Sequence, residues 1–98
     1  TPVYFVATKL EAFRGRGGGD YQASHDLEDT LSVLAGLPLL REELHTSGSR
    51  VASAVRSELV GLRAVEAFID AVPGHFEGDR AGQARADLVL EWLSSLRA

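Results

Sequence analysis

Apolar residues recur at three- and four-residue spacing along most of the chain, and no stretch sustains the two-residue alternation of a half-buried strand. Val3, Val6, Ala7, Leu10 and Phe13 predict a helix from about Pro2 to Arg14, with Pro2 in the first turn, where a missing amide hydrogen costs little. Gly15, Gly17, Gly18 and Gly19 carry too much backbone freedom to continue it, so a loop is expected there. Ser24 is a good N-cap for a second helix with Leu27, Leu31 and Leu34 on its inner face, Asp26 and Glu28 in its first turn, and Gly36 at its end. Pro38 opens a short third helix with Leu37, Leu40 and Leu44 inward, before His45 to Ser49 break the pattern. Ser49 caps a longer segment in which Val51, Val55, Leu59, Leu62, Val65, Ile69 and Val72 keep a helical period, with an interruption expected around Gly61. Pro73 and Gly74 stop it, and His75 to Gly78 form a connection. Asp79 caps a last helix whose expected face is Ala81, Ala84, Leu88, Trp92 and Leu96, broadened by Val89 and Leu93.

The pattern predicts an all-α fold, a compact bundle of four to six short helices without a sheet. Its 98 residues allow one domain, residues 1–98, and 45% hydrophobic with 24% charged residues is ordinary globular usage. The chain has no cysteine, which excludes disulfides, thiolate metal sites and a cysteine nucleophile. No apolar run approaches the roughly 20 residues that span a bilayer, and no leader opens the chain, so the expectation is a cytoplasmic protein without a membrane partner. A net charge of −4 argues against direct nucleic-acid binding, whose affinity comes mainly from neutralised phosphates. Nine of the ten basic residues are arginine, which reads as a coding bias and makes the single lysine, Lys9, conspicuous.

Lys9 lies at roughly a right angle to the centre of the first apolar stripe, at about 100° of rotation per residue. Asp26 and Asp29, three residues apart, share a face of the second helix. A short loop folds the two helices into an antiparallel pair and brings Lys9, Arg14 or Arg16 near those acids. Such a cluster suits a phosphate, a metal or a partner; on spacing alone, a helix-dipole acid with a surface ion pair is the commoner arrangement. The glycine run can form an anion-binding nest, but it lacks the lysine and hydroxyl residue of a P-loop and no strand precedes it; a plain linker is its commoner meaning. His25 and Asp26 invite comparison with a phosphohydrolase metal site, yet His45 and His75 stand in loops without companion ligands, so no metal site is assigned. Trp92 with Leu88 and Leu96 reads as a core or interface stripe.

The run Val3-Tyr4-Phe5-Val6-Ala7-Thr8-Lys9-Leu10-Glu11-Ala12-Phe13-Arg14-Gly15-Arg16-Gly17, then Asp20 and Ser24-His25-Asp26-Leu27-Glu28-Asp29, resembles the downstream helical part of nucleotidyltransferase-like proteins of the AbiEii/AbiGii toxin type. Ala7, Lys9, Leu10 and Ala12 match that family's A-x-K-L-x-A helix, and Asp26 and Asp29 match the acids of its R-D-x-x-D-L segment. His25 and Thr30 depart from that segment, and the glycine-rich insert with Asp20 marks a distinct subgroup. The resemblance covers about the first third of the chain. It implies transfer of a nucleotide from a triphosphate, with Lys9 on the triphosphate, Asp26 as the catalytic base and Asp29 orienting or pairing; Arg14 and Arg16 are expected on the substrate from their place in the cluster alone, holding phosphate oxygens beside Lys9. It also implies Mg²⁺ and a nucleoside triphosphate for the intact protein, with no cofactor held by this chain. The family's glycine-serine turn and paired metal-binding aspartates are missing from these residues. The chain is therefore expected to be the carboxy-terminal part of a longer protein, inactive without an amino-terminal catalytic domain. The alternative is a small helical protein-interaction module without catalysis, whose exposed apolar face binds a partner protein or a second copy of the chain; a homo-oligomer is open in either case.

Overall fold

The computed structural model describes residues 1–16 and 19–97, and among them the chain forms six α-helices, one 3₁₀ turn and no strand. They are α1 (Pro2–Gly15), α2 (His25–Gly36), α3 (Pro38–Thr46), α4 (Arg50–Arg63), α5 (Glu66–Ala71), the 3₁₀ turn Val72–His75 and α6 (Arg80–Ser95). The all-α expectation holds. The predicted caps also hold: the hydroxyls of Ser24 and Ser49 and the Asp79 carboxylate accept from the amides of Leu27, Ala52 and Gly82. The anion nest proposed for the glycine run falls partly on Gly17 and Gly18, which lie outside the described residues.

One apolar core draws on every element. Val3, Val6, Leu10 and Phe13 of α1 meet Leu27, Leu31 and Leu34 of α2, and Leu40, Leu44, Val55, Leu59, Phe68, Val89 and Leu93 complete it. The radius of gyration, 12.4 Å, is near the value of about 13 Å for a compact chain of 100 residues. Among the described residues no helix is long and apolar enough to cross a membrane.

Three details differ from the sequence expectation. The long fourth segment breaks at Ala64 and Val65, and Gly61 stays inside α4. Leu59 and Phe68 are nine residues apart, which in one straight helix puts them on opposite sides; both are buried, so the chain must turn between them. Extended backbone at Val65 makes that turn. Leu37, expected inward, is the one residue joining α2 to α3 and is exposed.

The inner face of α6 is Gly82, Ala86, Val89 and Leu93, about one residue's rotation from the expected face; Ala81, Ala84 and Leu88 point to solvent. Gly82 sets this orientation. A side chain there would run into the Glu77 carbonyl group, an approach that only glycine permits. Trp92 is half-buried against the edge of His45, with ring centroids 5.7 Å apart.

Arginines stitch the helix ends. Arg41 Nη1 donates to the carbonyls of Leu34 (2.7 Å) and Ala35 (3.0 Å) at the end of α2. Arg56 Nη1 does the same for Leu44 (2.7 Å) and Ser47 (3.1 Å) at the end of α3, and Arg63 Nη1 for Leu93 and Leu96, both at 2.7 Å, at the end of α6. Each guanidinium donates to carbonyls at a helix C-terminus, most of them otherwise unpaired (Leu93 also accepts from the Leu96 amide), and faces the negative end of the dipole. At these positions arginine has a structural reason beyond codon usage.

Candidate functional site

α1 ends where the glycine run begins, and α2 starts at the Ser24 cap, so the two helices turn back on each other. Arg16 meets Asp26 while Lys9 meets Asp29, a pairing order that runs the helices in opposite directions. Lys9 Nζ lies 2.7 Å from Asp29 Oδ2 and 3.9 Å from Asp26 Oδ1, and Arg16 Nη1 donates to Asp26 Oδ2. The lysine ammonium also lies 5.5 Å from the centre of the Phe5 ring, within cation–π range. Lys9, Arg16, Asp26 and Asp29 thus form one cluster, as the spacing predicts.

Asp26 is the unusual member. Its side chain is 8% exposed, although it occupies the first turn of its helix, where acids are ordinarily solvated. A buried carboxylate requires partners, and the two cations provide them. The next turn reinforces the position: the buried Thr30 hydroxyl donates to the Asp26 carbonyl at 2.8 Å. Arg16, by contrast, is 73% exposed, so the pair has one fixed and one solvated side.

The cluster borders a concavity of about 470 Å³, to which Arg16, Asp20, Ser24, His25 and Asp26 contribute polar groups and Phe13 an apolar wall. Asp20 faces it from a turn in which its Oδ1 accepts from the Ala23 amide at 3.0 Å. The loop is anchored from behind: Tyr21 packs 5.7 Å from Phe13 and 6.2 Å from Phe68, and its carbonyl is 2.6 Å from His75 Nε2. His75 is therefore a loop anchor, a role that its sequence context does not announce. His25 Nδ1 lies 3.3 Å from Glu28 Oε1 on the outer side of α2.

Arg14 is not in the cluster. It turns to α4 and pairs with Glu58. Among the described residues no three His, Asp, Glu or Cys side chains are arranged to hold a metal ion. Asp26 and Asp29 are each committed to a cation, so this cluster does not fit Mg²⁺.

No protein-family model, curated protein or solved structure matches the chain.

Proposed function

We propose that this chain is the carboxy-terminal helical region of a nucleotidyltransferase-like protein of the AbiEii/AbiGii type, and that the α1–α2 corner completes its nucleotide cleft. The observation that carries this reading is the buried Asp26 carboxylate, held by Lys9 and Arg16 at the mouth of a concavity. Lys9 comes from the first of the two segments that resemble the family, Arg16 from its end, and Asp26 and Asp29 from the second.

In this reading the phosphate oxygens of a nucleoside triphosphate compete with Asp26 for its two cations. Arg16, already solvated, swings to the phosphates, and Lys9 holds them while Asp29 fixes its ammonium. Asp26, released, takes the proton of the acceptor group as that group attacks the α-phosphorus, and the bond from the α-phosphorus to the β-phosphate oxygen breaks, so that pyrophosphate leaves. Mg²⁺, where present, belongs to carboxylates of the amino-terminal domain, which this chain requires for activity. Arg14 takes no part in phosphate binding. The setting is the cytoplasm, where nucleoside triphosphates are available.

A second reading, a helical interaction module, draws on Tyr4, Phe5 and Leu39, large apolar side chains left exposed. The cluster is then only a staple between two helices.

The coding frame upstream of Thr1 separates the two. A glycine-serine turn followed by paired aspartates is expected there, together with transfer of label from a nucleoside triphosphate by the intact protein. Asp26→Asn in that protein should lower transfer by about 100-fold or more, the usual worth of a positioned base. An intact protein with neither the upstream motif nor transfer activity leaves the interaction module.

A further inference from the structure

Phe13 lines a second concavity, of about 410 Å³, between α1 and α4. Its floor is apolar, formed by the buried Leu10 and Phe13 and the half-buried Leu62. Its rim carries the Arg14–Glu58 ion pair and the Ser57 hydroxyl. Volume and lining are those of a small-ligand pocket, mostly apolar with a few polar groups at the edge.

Gly61 stands at the open side. It lies in the hydrogen-bonded part of α4, is exposed, and a Cβ there would meet nothing within 4 Å. Neither packing nor backbone geometry demands glycine at this point, and glycine weakens a helix relative to alanine. With no side chain at this lining position, the α4 side of the cleft is left open.

We infer that the α1–α4 cleft receives the base of a nucleotide, an inference that rests on the transfer reading of the neighbouring cluster. A nucleobase has a flat, weakly polar face and an edge with adjacent hydrogen-bond donors and acceptors. Leu10, Phe13 and Leu62 match the face. On the rim the Arg14 guanidinium keeps N–H groups and a stacking face beyond its pair with Glu58, the second Glu58 carboxylate oxygen accepts, and the Ser57 hydroxyl does both. An aliphatic ligand leaves that rim unused, and a phosphate meets the Glu58 carboxylate. Because Phe13 lines both concavities, one nucleotide can lay its base on the α4 side of this ring and its phosphates beside Arg16. Arg14 thereby acquires a role at the base in place of the one expected at the phosphates.

The test is titration of the isotope-labelled 98-residue chain, which has its own core, with adenosine, guanosine, cytidine and uridine, and separately with ribose 5-phosphate. At least one nucleoside should shift the Gly61 and Leu62 amide resonances saturably, whereas ribose 5-phosphate should leave them in place. Gly61→Leu fills the cleft and should weaken nucleoside binding tenfold or more with an unchanged circular dichroism spectrum; Ser57→Leu, at another exposed rim position, serves if that variant does not fold. Absence of shifts at Gly61 and Leu62 with all four nucleosides, or binding indifferent to the filling variant, overturns the inference. The two readings fail separately. Nucleoside binding lost in Gly61→Leu, in a protein without transfer activity, keeps the cleft and ends the transferase reading. Transfer by the intact protein with a nucleotide KM untouched by Gly61→Leu does the reverse.

Discussion

Asp26 and Asp29 are three residues apart and belong to the same cluster, yet they differ in what their loss should do. The Asp26 side chain is nearly buried between Lys9 and Arg16, whereas that of Asp29 is 47% exposed. Asp26→Asn keeps an acceptor of the same shape but loses the charge. It should cost about 1 to 2 kcal/mol, the low side for hydrogen bonds to charged groups because Arg16 remains largely solvated. Asp29→Asn should cost less than about 1 kcal/mol. Urea denaturation of both variants checks the difference, and equal losses would contradict the burial assigned to Asp26. Activities of the Asp26 variant are therefore to be compared per folded molecule. Glycine gives a second contrast. Gly82→Ala drives a methyl group into the Glu77 backbone and should destabilise by about 1 to 3 kcal/mol, while Gly61→Ala, with open space around it, should be neutral or stabilising by up to about 1 kcal/mol. Thermal melts that rank the two variants in the opposite order would refute the close approach at Gly82.

At the level of elements, the arginine caps are interactions between helices, and each should register as stability. Arg63→Ala leaves the Leu93 and Leu96 carbonyls without their shared donor and should cost about 1 to 3 kcal/mol, whereas Arg50→Ala, at an exposed position, should stay within about 0.5 kcal/mol of the parent. Denaturant midpoints settle the comparison; a silent Arg63→Ala would reduce the cap to a surface contact. These caps also mark how far the sequence can be read. α1 and α2 were legible because their large apolar residues fall on single stripes and Ser24 announces its own cap. The Lys9–Asp29 contact followed from helix spacing and a short loop. The direction of Arg14 was not legible, since Glu58 lies on a helix 44 positions on in the chain and nothing local links the two. The face of α6 was misread for a related reason. Leu88 and Trp92 dominate the hydrophobic pattern by size, but the docking of that helix is set by the smallest residue in it, Gly82, whose contact with Glu77 leaves no trace in periodicity. The break after α4 was expected at the residue with the weakest helix propensity; it falls instead where Phe68 has to reach the core.

At the scale of the molecule, the six helices and the 3₁₀ turn of the described residues contribute to one core, and the caps join α2 to α3, α3 to α4 and α4 to α6. No group of helices has a core of its own, so unfolding should be a single cooperative transition. Trp92, the one tryptophan, reports on α6, and far-ultraviolet circular dichroism reports on all helices; their thermal midpoints should coincide, and separate midpoints would show that α6 detaches early. The polar cluster and both concavities gather around the end of α1, so the scaffold holds them from α2 on one side and α4 on the other. The joint between α2 and α3 constrains how this chain can vary. Leu37 alone separates the two helices, and Arg41, one turn into α3, reaches back to cap α2. One inserted residue at that joint would turn α3 by about 100°, carrying Leu40 and Leu44 out of the core and the Arg41 guanidinium off its carbonyls. A homologue with a longer α2–α3 joint would therefore have to rebuild the inner face of α3.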